Sequence, residues 1–136
     1  GGKLKNTFFQ NIPALKTVID QAIECADSQG EIKMLDGRLC PVRSSHKALN
    51  VLLQGAGAII SKTWCVIANQ DVQDAGLRAH QIGFIHDEMQ WEVHPFDANS
   101  LCEILTKASL KAGNLLDIRM PIDSEATIGT SWAECH

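Results

Sequence analysis

The spacing of apolar residues changes several times along the chain, and each change marks an element. Leu15, Val18, Ile19, Ala22, Ile23 and Ala26 recur at the period of one helix face. Asn11 is placed to cap that helix, Pro13 fits its first turn, and Gly30 is placed to end it. Before it, Leu4 and Phe8 predict the end of another helix over residues 3–10. Two short strand-like runs follow, Glu31 to Met34 and Leu39 to Val42. They flank Leu35-Asp36-Gly37-Arg38, whose Asp-Gly pair predicts a hairpin. Ser44 or Ser45 then caps a long helix to about Ala68. Its apolar face is Leu49, Leu52, Leu53, Ala56, Ile59, Ile60, Thr63 and Ile67. Residues 69–80 are polar, which predicts the helix end and a connection.

At Phe84 and Ile85 an apolar run closes. From Met89 the period becomes two: Met89, Trp91 and Val93 on one side, Gln90 and Glu92 on the other. His86, Asp87 and Glu88 lie between the two runs, which predicts a tight hairpin with two adjacent carboxylates at its tip. Asp97 is placed to cap a helix carrying Leu101, Ile104, Leu105 and Ala108, ended by Gly113. Leu116, Ile118, Met120 and Ile122 alternate with polar residues and predict a further strand, at a sheet edge because of Pro121. The pattern as a whole predicts an α+β fold. Its antiparallel sheet would come from strands near 81–86, 88–94 and 115–123, packed by helices.

The length of 136 residues suits one modest domain, and 45% hydrophobic with 21% charged residues is an ordinary globular composition. The net charge of −4 is unlike that of a stand-alone nucleic-acid binder, whose basic surface supplies most of its affinity. No apolar run reads as long enough to span a bilayer, and Gly1-Gly2-Lys3-Leu4-Lys5 lacks the core of a secretory signal. The absence of an initiator Met predicts that the chain begins inside a longer protein. Cysteines 25, 40, 65, 102 and 135 form no C-x-x-C pair. They read as reduced thiols in a cytoplasmic protein, without a zinc site.

Two patterns carry candidate chemistry. Burying carboxylates costs free energy unless a cation or hydrogen-bond donors compensate. Asp87 and Glu88 side by side on a rigid hairpin suit a hard divalent ion such as Mg²⁺; the competing reading is a solvated acidic turn. On the long helix, His46, Asn50 and Gln54 are spaced by four on one side, continued by the small residues Gly57 and Ser61. Amide side chains both donate and accept, which suits base edges in a minor groove; the competing reading is a polar, solvent-facing flank.

The run Phe84 to Val93 resembles motif C of the family A DNA polymerases, the group of bacterial DNA polymerase I and of the replicative polymerases of short-tailed phages. Leu35-Asp36-Gly37-Arg38 is similar to the family's hairpin before its long helix. Ser45 to Ala56 resembles the helix lying along the primer–template minor groove, with His46 in place of an Arg pointing to the phage branch. Gly129, Trp132 and His136 stand at the spacing of the family's C-terminus. These matches follow the family's order over nearly the whole chain. The resemblance implies that Asp87 is a metal ligand, Glu88 the auxiliary carboxylate and His86 a contact to the primer 3′ end. It places Asn50 and Gln54, with His46, on the DNA. Residues 1–136 would be the C-terminal part of a polymerase domain, the palm with motif C and helices adjoining the fingers. Motif A, with a second metal-binding Asp, and motif B, the nucleotide-holding helix, are expected upstream. The implied activity is two-metal-ion addition of deoxynucleotides to a primer 3′ end in the cytoplasm. Its partners would be primer–template DNA, deoxynucleoside triphosphates and the upstream segment, with no membrane, and the 136 residues alone are expected to be inactive. The alternatives are a metal-dependent phosphodiesterase or nuclease using Asp87 and Glu88, and a non-catalytic DNA-binding or self-associating module.

Overall fold

The computed structural model describes residues 11–135, and these divide into two compact units with the boundary between Ala56 and Gly57. The helix end expected over residues 3–10, and His136, lie outside the described residues. In the first unit helix α1 spans Pro13–Gln29. Its N-cap is Ile12 and not Asn11, and no side chain caps it; Pro13 at its start has no N–H to satisfy. Small Ala22 and Ala26, one turn apart, form its buried face. Gly30 ends it at φ +73°, a left-handed conformation that glycine adopts without steric cost, and donates its N–H to Ala26 at 3.0 Å.

Strands β1 (Glu31–Lys33) and β2 (Leu39–Pro41) form the expected antiparallel hairpin. Gly37 donates to the Met34 carbonyl at 3.0 Å, and Met34 donates to Arg38 at 2.9 Å. With Gly37 at φ +84°, this is a turn followed by a left-handed residue, a common three-residue hairpin connection. Buried Met34 packs over Gly55, where a Cβ would collide with the methionine's methyl end.

A 3-10 turn, Ser45–Lys47, leads into helix α2, Ala48–Asp74. The Ser44 hydroxyl pairs with His46 Nδ1 at 2.7 Å and does not cap the backbone. The helix runs to Asp74 and not to about Ala68, because Asn69, Gln70, Asp71 and Asp74 find partners. Asn69 donates to the Cys65 carbonyl and to Gln81, Gln70 bonds Asp74, and Asp71 pairs with Lys111. Val72 meanwhile is buried. Gly76, at φ +62°, donates to Gln73, and Leu77 donates back to Val72, a Schellman ending whose apolar contact is Leu77 beside Val72. The stretch Ser45–Asp74 is therefore long and apolar enough to cross a bilayer by length and composition alone, which corrects the reading that no run has that length. Core helices pass the same test.

The second unit packs around Ala68, Val72, Ala79, Leu101, Leu105 and Ala108. Strand β3 (Ala79–Ile85) pairs antiparallel with β4 (Glu88–Val93), and Met89, Trp91 and Val93 face this core as their alternation predicts. The Trp64 indole donates to the Leu105 carbonyl at 2.8 Å, tying α2 to helix α3, Ala98–Leu115. Asp97 occupies the N-cap position of α3, yet its carboxylate does not cap. It accepts two bonds from the Arg78 guanidinium, at 2.8 and 3.2 Å, and one from the Arg78 backbone. His94 caps the preceding turn, Pro95–Asp97, by accepting from Phe96.

The strand expected near 115–123 is absent. Leu115 closes the last turn of α3, so Gly113 does not end the helix. Asp117 sits at φ +54° and donates to Asn114, while Ile118 donates to Gly113, a second Schellman ending. A left-handed residue interrupts any ladder, and Pro121 lacks an N–H. The chain instead turns back along α3: Ile122 packs on Gly113 and the Ser124 hydroxyl bonds that of buried Ser109 at 3.2 Å. A short helix α4, Trp132–Cys135, follows, with Glu134 accepting from the Thr130 backbone and hydroxyl.

Candidate active site

Ile85 pairs with Glu88, so the turn between β3 and β4 has two residues, His86 and Asp87. His86 takes φ +54° at the first turn position, where hairpins favour glycine; a left-handed conformation costs a side-chain-bearing residue about 1–2 kcal/mol. Asp87 is exposed in the turn. Glu88 is half-buried as the first residue of β4, so only one of the two carboxylates lies at the tip itself. The Gln90 amide donates to Glu88 Oε1. Sequence reasoning passed over Gln90; the signal was its place two residues beyond Glu88, on the same strand face. An irregularity between Gln81 and Gly83 leaves Ile82 61% exposed and sets Gly83 opposite Gln90.

Within the second unit, Asp87 and Glu88 border a groove of about 560 Å³. Gly57 and Ser61 of α2 line it, and residues 122–129 form part of its wall. Ser61 is buried whereas Gly57 is exposed, so the two small residues of the expected stripe differ in burial. The indole N–H of Trp91, another lining residue, is buried with no hydrogen-bond partner among the described residues. Burial pushes the Cys102 thiol in the same wall above its ordinary pKa. Among the described residues no group of three or more His, Cys, Asp or Glu side chains is arranged to hold a metal ion.

His46, Asn50 and Gln54 belong to the first unit, and the hairpin set of His86, Asp87 and Glu88 to the second. All three are exposed. Asn50 and Gln54 stand one turn apart on α2, whereas His46 lies in the 3-10 turn and is held by Ser44.

The model of DNA polymerase family A matches residues 1–134. The chain belongs to that family. It is 33% identical to the DNA-directed DNA polymerase of Enterobacteria phage T3, over all of this chain and 22% of that protein. It is 29% identical to DNA polymerase I of Aquifex aeolicus, over 96% of this chain and 23% of that protein. The chain thus spans less than a quarter of the length of the curated relatives it matches. A solved polymerase domain of Pol1 from M. smegmatis, in complex with DNA primer–template and dNTP, shares its fold at a TM-score of 0.80 and 22% identity. That likeness covers 96% of this chain and 25% of the other. Mixed helices with small antiparallel sheets are what the sequence predicts, although the third strand is not among them.

Proposed function

We propose that residues 1–136 are the C-terminal part of a polymerase domain that adds deoxynucleotides to a primer 3′ end, and that the β3–β4 turn carries half of its catalytic centre. The observation that carries this reading is the presentation of Asp87 and Glu88 on consecutive residues of a two-residue turn and its following strand, inside a family A chain. An exposed carboxylate beside a half-buried one fits Mg²⁺, which binds through one or two carboxylates plus substrate phosphates. Asp87 and Glu88 would hold the ion. When bound, Mg²⁺ supplies stabilisation of the charge on the attacking 3′ oxygen and the leaving pyrophosphate. His86 positions the primer end. Asn50 and Gln54 donate to the minor-groove edges of the terminal base pair, where correct pairs place acceptors in similar positions, and His46 contacts the same DNA. The further ligand and the nucleotide-holding residues come from other parts of the polymerase. The 136 residues alone therefore bind Mg²⁺ weakly and do not extend primers.

The test is primer extension by this chain alone, by a family A polymerase carrying it, and by the Asp87→Ala form of that polymerase, with circular dichroism as the folding control. Extension is expected only from the second. Extension by the isolated chain refutes the half-site reading, and normal extension by the Asp87→Ala polymerase refutes the role of the turn.

A further inference from the structure

Asp87 and Glu88 are alike in chemistry but not in constraint. The Asp87 carboxylate carries no tie to another described side chain, whereas Glu88 accepts from Gln90 Nε2. Glu88 and Gln90 are two apart on β4, so they share one face of the hairpin. On the opposite strand Gly83 places no side chain beside the glutamine: a Cβ there would lie 3.4 Å from Gln90 Cβ and 3.7 Å from its Cγ, in ordinary van der Waals contact. A carboxylate accepts and cannot donate, so the Gln90 group facing it is the NH₂. A bond to an ionised acceptor is stronger than one between neutral groups, and an amide neutral at every working pH makes it without adding charge.

We propose that Gln90 is a positioning residue for Glu88: its amide holds the glutamate's carboxylate in one orientation beside the free carboxylate of Asp87. The proposal rests on the polymerase reading and adds a division of labour to it. Asp87 adjusts to the ion and substrate, and Glu88 is oriented before they arrive. Because Gln90 acts through Glu88 and touches no substrate, its removal should slow the chemical step and leave nucleotide binding unchanged.

Two measurements test this. In the 136-residue chain, nuclear magnetic resonance of the Gln90 side-chain amide should show shifted, slowly exchanging protons. That signature should collapse in Glu88→Ala and persist in Asp87→Ala. In a polymerase carrying the chain, Gln90→Leu should lower kcat about tenfold, the lower end for groups supporting a metal ligand, with KM for the nucleotide unchanged. Gln90→Glu keeps the side chain's shape but replaces the donor by a second carboxylate, and it should lose as much. In a Glu88→Ala background Gln90→Leu should cost less than about twofold more, because coupled residues are not additive. A Gln90 amide indifferent to Glu88→Ala overturns the proposal, as does a full tenfold loss in the Glu88→Ala background. If Asp87→Ala extends primers normally the polymerase reading falls by itself, and the amide signal still decides whether Gln90 holds Glu88.

Discussion

Two helical glycines provide a matched test of how the end of the chain is held. Gly57 in α2 has open space around it: a Cβ there meets nothing within 4 Å. Gly113 in α3 is buried, and a Cβ there would stand 2.9 Å from Ile122 Cγ1, 3.2 Å from its Cβ and 3.5 Å from its backbone nitrogen. Replacing a helical glycine by alanine gains about 0.8–1 kcal/mol of backbone preference at either site. Only at 113 is the gain opposed, because the crowding atoms lie near the backbone of Ile122 and not at a flexible tip. Overpacking of that kind costs about 1–3 kcal/mol. Gly57→Ala should therefore stabilise the chain by about 1 kcal/mol. Gly113→Ala should range from neutral to about 2 kcal/mol less stable. Urea unfolding followed by circular dichroism measures both, and with Ile122→Ala already present, which removes Cγ1 but keeps the Cβ at 3.2 Å, Gly113→Ala should cost less than in the unaltered chain. If Gly113→Ala stabilises as much as Gly57→Ala in the unaltered chain, residues 118–124 do not lie against α3 as described.

His86→Gly should relieve the left-handed turn residue and raise stability by about 1 kcal/mol in the same assay, while lowering primer extension by the polymerase that carries the chain. An unchanged or lower stability would mean that the turn carries no strain. The Arg78 guanidinium, through its hydrogen bonds, holds the Asp97 carboxyl below the usual carboxylate range. The folded pKa lies below the unfolded one, so the pair's contribution is complete above the unfolded value of about 4 and is lost as pH falls through the folded value. The Tm difference between the wild type and Asp97→Asn should be constant from neutral pH to about 5 and shrink on further acidification; a difference growing with acid would reverse the sign of the shift. Gln54→Ala should reduce extension on matched primers without changing Tm, since Gln54 is exposed on its helix. Unchanged extension kinetics would remove it from the DNA-reading set.

The sequence pattern revealed the elements whose burial and period agree. Met89, Trp91 and Val93 alternate because one face of β4 meets a core, and Gly30 stops α1 because left-handed residues stop helices. It misled where alternation arose from something else. Leu116, Ile118 and Ile122 are spaced like a strand, yet the first is the C-cap of α3, the second completes its Schellman ending, and the third packs on Gly113. No local pattern distinguishes these from a ladder, because the distinction lies in where the N–H groups go. Asp97 shows the same limit in side-chain terms: its place before a helix predicted a cap, and an arginine distant in sequence took the carboxylate. Asp87 and Glu88 were legible as a pair, but their unequal exposure was not, since it follows from turn length and register.

That register links the core to the site. Side chains alternate along a strand, so a slip of one residue between β3 and β4 would turn Met89, Trp91 and Val93 to solvent and Glu88 and Gln90 toward the core. Each large apolar side chain that became exposed would cost up to about 1.5–3 kcal/mol, and an inward carboxylate would add its desolvation. The extra residue at Ile82 sits within this ladder, allowing Gln81 to face Trp91 while Gly83 faces Gln90. The positions of Asp87 and Glu88 are thus tied to the register held by the apolar residues on the other face of the hairpin. This separation makes Asp87→Ala an informative variant: it removes a carboxylate from a turn whose geometry is maintained by the other face of the hairpin, so a loss of extension with an unchanged circular dichroism spectrum reports on the carboxylate and not on the fold.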